Sequence, residues 1–301
     1  MKRRLALSPM TPMEKKKSKW AYLFLLPWFA LFCVFYAYPL VYGFVISFTN
    51  FDLSGKMDFI WFDNFKSIFT DYKFWRSFAG MLRYAVIILP LNVFIPLWAA
   101  NTLHPHGKKM QSVSKLLIYL PGVLCSVALI IVWKFMLNPN TGFVSQWLKE
   151  FGFKGSIFDN ANYSIPVLSL LIVFSGLGGN LIIFISAMNG ISSDFYDAAE
   201  LDGANRRQQF FHITIPMLRP TLLYVLITGT IAAFQIFTVP KLMTAGGPNF
   251  TSSTLLMLLY DSAFVDYKFG YAAALGVIIF VFTAVIAIVQ FRTTGANDSA
   301  D

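Results

Sequence analysis

The sequence predicts an all-α polytopic membrane protein, six transmembrane helices with both termini on the cytoplasmic side. Three observations predict it. The chain is 56% hydrophobic and only 13% charged, where ordinary soluble domains carry about 25% charged residues. Its mean hydropathy is +0.60. It contains six apolar runs long enough to cross a bilayer, each separated by polar or aromatic segments. Seven of the 24 Lys and Arg stand before residue 20, immediately ahead of the first apolar run. That placement makes the net charge of +9 an orientation signal and argues against nucleic acid as a partner. Cys33 and Cys125 both lie inside apolar runs, so they suggest neither a disulfide framework nor a metal site.

Residues 1–19 form a basic cytoplasmic tail. The first span covers 20–48; it is too long for a signal-peptide core and is retained. Phe62, Phe65 and Phe69 have the spacing of a short interfacial helix within an aromatic loop. The second span covers 79–100 and contains Pro90 and Pro96, which neighbouring helices can accommodate. His104 and His106 lie in a short basic loop without acids or thiols, a poor metal site. The third span covers 116–137, with Trp133 and Lys134 near its outer end. The fourth covers 165–188, and its middle reads Ser175-Gly176-Leu177-Gly178-Gly179-Asn180. Glycines weaken a helix by about 1 kcal/mol each against Ala. This stretch fits either close helix packing or the wall of a polar cavity, and the Asn180 amide favours the cavity. The fifth span covers 217–239, with Phe234, Gln235 and Thr238 near its outer end. Amides there suit hydroxyl-rich ligands without needing charge. The sixth covers 269–291, followed by a polar tail over 293–301.

The segment from 192 to 216 stands apart. It is the longest polar stretch between two clear spans. Ser192 or Ser193 suits a helix N-cap, with Asp194 in the first turn where the helix dipole favours an anion. Phe195, Ala198 and Ala199 share one helical face. Asp202-Gly203 signals a turn, a second short helix runs from Asn205 to about His212 with Phe210 and Phe211 inward, and Pro216 opens the next span. Periodicity alone fits two readings: an amphipathic helix lying on the bilayer, or a docking surface for another protein. Counted with the N-terminus inside, cytoplasmic segments together with Arg219 at the inner end of the fifth span hold 14 Lys and Arg, and outside loops hold 8. This places 192–216 in the cytoplasm.

Tyr196-Asp197-Ala198-Ala199, Asp202-Gly203-Ala204, Phe210 or Phe211, Ile213, Pro216 and Pro220 together resemble the EAA loop of ATP-binding-cassette importer permeases, in particular carbohydrate permeases of the maltose and glycerol-phosphate type. Asp197 stands where that family usually has Glu. The resemblance runs from about Ala21 to Gln290. It implies that Phe195 to Ala199 and Asp202 to Ala204 couple the chain to an ATPase. The glycines and amides of the fourth and fifth spans place the expected substrate pathway at Ser175, Gly176, Gly179, Asn180, Phe234, Gln235 and Thr238. The turn Gly246-Gly247-Pro248 resembles one on the face that meets an extracytoplasmic binding protein. The family usually has Trp near Phe174 and aromatics near Gly179 and Asn180; the smaller residues here widen the expected site for a longer or branched ligand. The implied partners are a second related permease, two ATPase subunits carrying ATP and Mg, a sugar-binding protein and the bilayer, in a prokaryotic cytoplasmic membrane.

No Walker A sequence, HExxH or GxSxG occurs, so the chain itself is not expected to hydrolyse ATP or to hold a cofactor. The alternative reading is an ion-coupled secondary transporter. Such proteins usually carry an intramembrane acid, and no Asp or Glu lies in the six spans.

Overall fold

A computed structural model describes residues 24–124, 126–152 and 155–295. The basic tail, Cys125 and the last residues lie outside the described part. Among the described residues the chain is helical with no named strand; one isolated bridge joins Thr49 and Phe59. Among the described residues five helices are long and apolar enough to cross a membrane, and a sixth span results if one bent pair is counted together.

Helix α1 covers Phe24–Ile46 and is almost wholly exposed along its length. A short amphipathic helix, α2 (Asp63–Thr70), precedes α3 (Tyr72–Leu103). Asp71 caps α3 by accepting from the Lys73 N–H, which satisfies one of the orphan donors of a helix start. Helices α4 (Lys108–Val123) and α5 (Ser126–Met136) meet at an 88° bend. After α6 (Phe143–Glu150) comes α7 (Ala161–Met188), capped by Asn160. Two short helices follow, α8 (Ser193–Leu201) and α9 (Arg206–Gln209). Then come α10 (Arg219–Phe234), α11 (Thr238–Thr244), α12 (Leu255–Phe264) and α13 (Phe269–Gly295).

The fifth span is not continuous. Its helix stops at Phe234, and residues 235–237 form a non-helical turn before α11 resumes. Such a break exposes carbonyls that lipid does not satisfy. The Thr254 hydroxyl covers one of them, donating to the Ile236 carbonyl at 2.7 Å.

Helix α7 is the hub, packed against α3 on one side and α4 on another. The glycines of its middle divide into two kinds. A Cβ on Gly178 would stand 2.4 Å from the Tyr119 Cα, and one on Gly122 of α4 would stand 2.7 Å from the Ser175 carbonyl oxygen. These two let α4 and α7 approach backbone to backbone. Gly179 meets nothing within 4 Å, and Gly176 meets only the Asn92 Oδ1, at 3.8 Å.

Among the described residues most buried apolar side chains fall in two clusters. One joins Phe74, Met81, Tyr84, Leu168, Leu255 and Leu275. The other joins Val93, Leu97, Phe184, Ile185, Leu218 and Val225, with Phe210 and Ile215 packed against it. The second cluster anchors the segment after α8 to the spans.

The two kinds of glycine separate experimentally. Gly178→Ala is expected to lower the thermal midpoint of the detergent-purified chain, at a cost of about 1–3 kcal/mol for overpacking. Gly179→Ala is expected to be neutral or slightly stabilising through helix propensity. Equal effects in a thermal unfolding assay would contradict this assignment.

Candidate functional site

The elbow formed by residues 192–216 is built from local bonds. Ser192 is the N-cap of α8, its Oγ accepting from the Asp194 N–H at 3.3 Å. At the other end Gly203 takes a left-handed φ of +80°. Its N–H donates to the Glu200 carbonyl at 3.0 Å, and the Ala204 N–H donates to the Ala199 carbonyl at 2.9 Å. This pair of bonds is the Schellman closure, which favours glycine at that position. Asn205 then starts α9 with a capping box shared with Gln208. The helix widens into a π-turn over Phe210–Thr214 ahead of Pro216, whose missing N–H interrupts the regular ladder.

Tyr196 fixes the two arms of the elbow to each other. Its hydroxyl and the Thr214 Oγ1 are 2.9 Å apart. The sequence shows no sign of that partnership, because 18 positions separate the two residues. Phe210 turns inward onto the core as expected, whereas Phe211 is 55% exposed and lies under the Arg207 guanidinium. On the opposite face Phe195 is 51% and Leu201 91% exposed, with Asp197, Ala198 and Asp202 exposed beside them. Ala199 and Ala204 are half-buried. The elbow therefore presents Phe195, Leu201 and the small Ala198 beside two carboxylates, Asp197 and Asp202, while its other side is tied down.

A cavity of about 730 Å³ lies between the elbow and the turn after α3, lined by Asn101, His104, His106, Tyr196, Glu200 and Arg206 among others. That turn is braced by Gln111, whose Nε2 donates to the carbonyls of His104 and His106 at 3.0 Å each.

The residues expected along a pathway are distributed as follows. Gly176 and Gln235 are exposed, while Ser175, Gly179, Asn180 and Thr238 are half-buried. Ser175 spends its hydroxyl on the Leu171 carbonyl at 3.1 Å. The Asn180 Nδ2 donates to the backbone carbonyl of Asn92 at 3.1 Å. Phe234 does not join them at a surface: it is 3% exposed within the first core cluster. Gln235 opens onto a groove of about 610 Å³ with Gly276, Thr283 and Ala284 on its wall.

At the far end of the spans, the loop from 245 to 254 is wedged into the bundle. Thr251, Ser252, Ser253 and Thr254 are all buried. Ser77 donates to the Ser253 Oγ at 3.1 Å, Tyr84 to the Ser252 carbonyl at 3.2 Å. Gly80 makes room for this wedge, since a Cβ there would stand 2.3 Å from the Ser253 carbonyl oxygen. Within the turn Gly246 is buried with φ +86°, and Gly247 and Pro248 are half-buried. The exposed tip is Asn249-Phe250, beside Tyr72 and Lys73.

Residues 92–293 match the sequence model of one family, the binding-protein-dependent transport system inner membrane component. The chain belongs to that family. The permease is 32% identical over 93% of its length, and 92% of the relative's, to a probable ABC transporter permease protein, YesP, of Bacillus subtilis. It is 29% identical to the sulfoquinovosyl glycerol transport system permease protein SmoG of Agrobacterium fabrum, over 92% of this chain and 91% of that one. It is 26% identical to the multiple sugar-binding transport system permease protein MsmF of Streptococcus mutans, over 94% and 98% respectively. In three dimensions it superposes with a TM-score of 0.83 on a chain of a bacterial ABC transporter involved in the import of the acidic polysaccharide alginate. That match is 22% identical and covers 93% of this chain and 96% of the other, so the permease shares the fold. It is a multi-pass membrane protein.

The Tyr196–Thr214 bond should set the stiffness of the elbow. Tyr196→Phe is expected to cost about 1 kcal/mol locally, raising amide exchange in residues 193–201 about fivefold. Hydrogen exchange unchanged in that segment would contradict the brace.

Proposed function

We propose that this chain is the transmembrane permease subunit of an ATP-driven ABC importer that takes up a sugar or oligosaccharide delivered by an extracytoplasmic binding protein. The observation that carries the reading is the elbow. Its exposed face, with Phe195 and Leu201 51% and 91% exposed around the small Ala198, is held rigidly against the membrane bundle. An apolar face of this kind on a polar loop has a partner to meet, and family membership supports an ATPase as that partner. Two such subunits would carry the ATP and Mg, and a second related permease would complete the membrane part.

In this reading the basic N-terminus lies inside, and the elbow projects into the cytoplasm of a prokaryote. Closure of the ATPases on ATP draws the elbow sideways. The motion passes directly into α7, which ends four residues before α8 begins, and through Phe210 and Ile215 into the second core cluster. Phe195 to Ala199 and Asp202 to Ala204 form the coupling surface. Gly176, Gly179, Gln235 and Thr238 face the pathway, with Ser175, Asn180 and Phe234 behind them. The turn at Gly246-Gly247-Pro248 meets the binding protein through its exposed tip. The names of the sugar-transporting relatives support a carbohydrate cargo, and the amide of Gln235 suits hydroxyl groups.

Ala198→Trp tests the docking surface, since Ala198 is exposed and lies outside both cores. Affinity for the ATPase subunits is expected to fall about tenfold or more, equivalent to 1.4 kcal/mol, with the thermal midpoint of the chain unchanged. ATP-driven uptake into cells should fall with it. Uptake that survives ATP depletion and collapses with an uncoupler would instead support ion-coupled transport.

A further inference from the structure

A proline inside a helix removes one N–H, and the carbonyl four residues earlier loses its partner. Helix α3 has two internal prolines, Pro90 and Pro96, and the carbonyl that Pro96 leaves without its helical partner belongs to Asn92. The freed oxygen then needs another donor. The donor is the Asn180 Nδ2 of α7, at 3.1 Å. Gly176, one turn earlier on α7, leaves room on the same side: the Asn92 Oδ1 lies 3.8 Å from where a Cβ would be. That Oδ1 is itself buried without a hydrogen-bond partner, so the side chain of Asn92 does not compete for the Asn180 amide through it.

We propose that Asn180 is a positioning residue, whose amide covers the Asn92 carbonyl released by Pro96 and so locks α3 to α7 as one moving block. Helix α7 carries the elbow. A displacement of the elbow then moves α3 as well, and with it the outer wedge, which α3 holds through Ser77, Gly80 and Tyr84. One of the two Asn180 N–H donors is engaged in this lock. The transport half of this inference rests on the importer reading; the hydrogen-bond half does not.

The test is a cycle of Asn180→Leu and Pro96→Ala, singly and together, in the full chain. Ala at 96 restores the N–H that satisfies the Asn92 carbonyl within α3, so Asn180 loses its task. Asn180→Leu is expected to lower the thermal midpoint by about 3 °C in the native background and by nothing measurable beside Pro96→Ala. In the complex assembled with its ATPases, MgATP hydrolysis stimulated by the binding protein is expected to fall about fivefold with Asn180→Leu and to recover in the double variant. An equal loss of thermal midpoint in both backgrounds assigns Asn180 to packing and overturns the lock, as does no loss in either. A midpoint that follows the cycle while hydrolysis stays constant throughout overturns the transmission half. A wild-type complex that hydrolyses no ATP counts against the importer reading, and the thermal cycle still decides the lock.

Discussion

Everything in this fold depends on keeping backbone polar groups satisfied where water is absent. Helical hydrogen bonding lapses at Pro96 inside the continuous α3 and at the break at 235–237. At both points a side chain from elsewhere in the fold reaches in. Asn180 covers the Asn92 carbonyl and Thr254 covers the Ile236 carbonyl. The same solution recurs at the end of α1, where the Asn64 amide donates to the carbonyls of Ser47 and Thr49 at 2.9 and 2.8 Å. Each interruption costs helical bonds and, through its donor, ties two elements that hydrophobic packing in lipid would leave free to slide.

In the proposed importer these ties carry force from the elbow into the membrane part. The elbow is short, but none of its corners is slack. Ser192, Gly203 and Asn205 close its turns, and Tyr196 with Thr214 closes the angle between its arms. One side is thus rigid while Phe195, Ala198 and Leu201 remain available. From there two routes lead into the membrane: α7 itself, and Phe210 with Ile215 on the inner core.

Much of this was legible in the sequence because it rests on local rules. The span-length runs, the Ser192 cap, the turn at Gly203 and the amphipathic helix around Phe65 follow from composition, spacing and turn chemistry. Gly203 is the clearest case, since its φ of +80° is one that only glycine adopts without strain. What required tertiary contact was not legible. Nothing in the run around Gly178 distinguishes it from Gly179, yet one faces the Tyr119 backbone and the other open space. Asn180 reads as a cavity amide until its partner is known to be a main-chain oxygen. That partner had a signal, since a proline at 96 announces a free carbonyl at 92. Phe234 is apolar in any context, and only packing places it in the core behind Gln235. The buried wedge at 251–254 was hidden because four hydroxyl residues read as a solvated loop.

The central claim is that the elbow faces the compartment of the ATPases and is covered by them. It is tested most directly by labelling an Ala198→Cys variant, made in a background without Cys33 and Cys125, with a membrane-impermeant maleimide. The account predicts reaction in inside-out vesicles and protection once the ATPase subunits are bound. Reaction in right-side-out vesicles, or labelling indifferent to the ATPases, would contradict it.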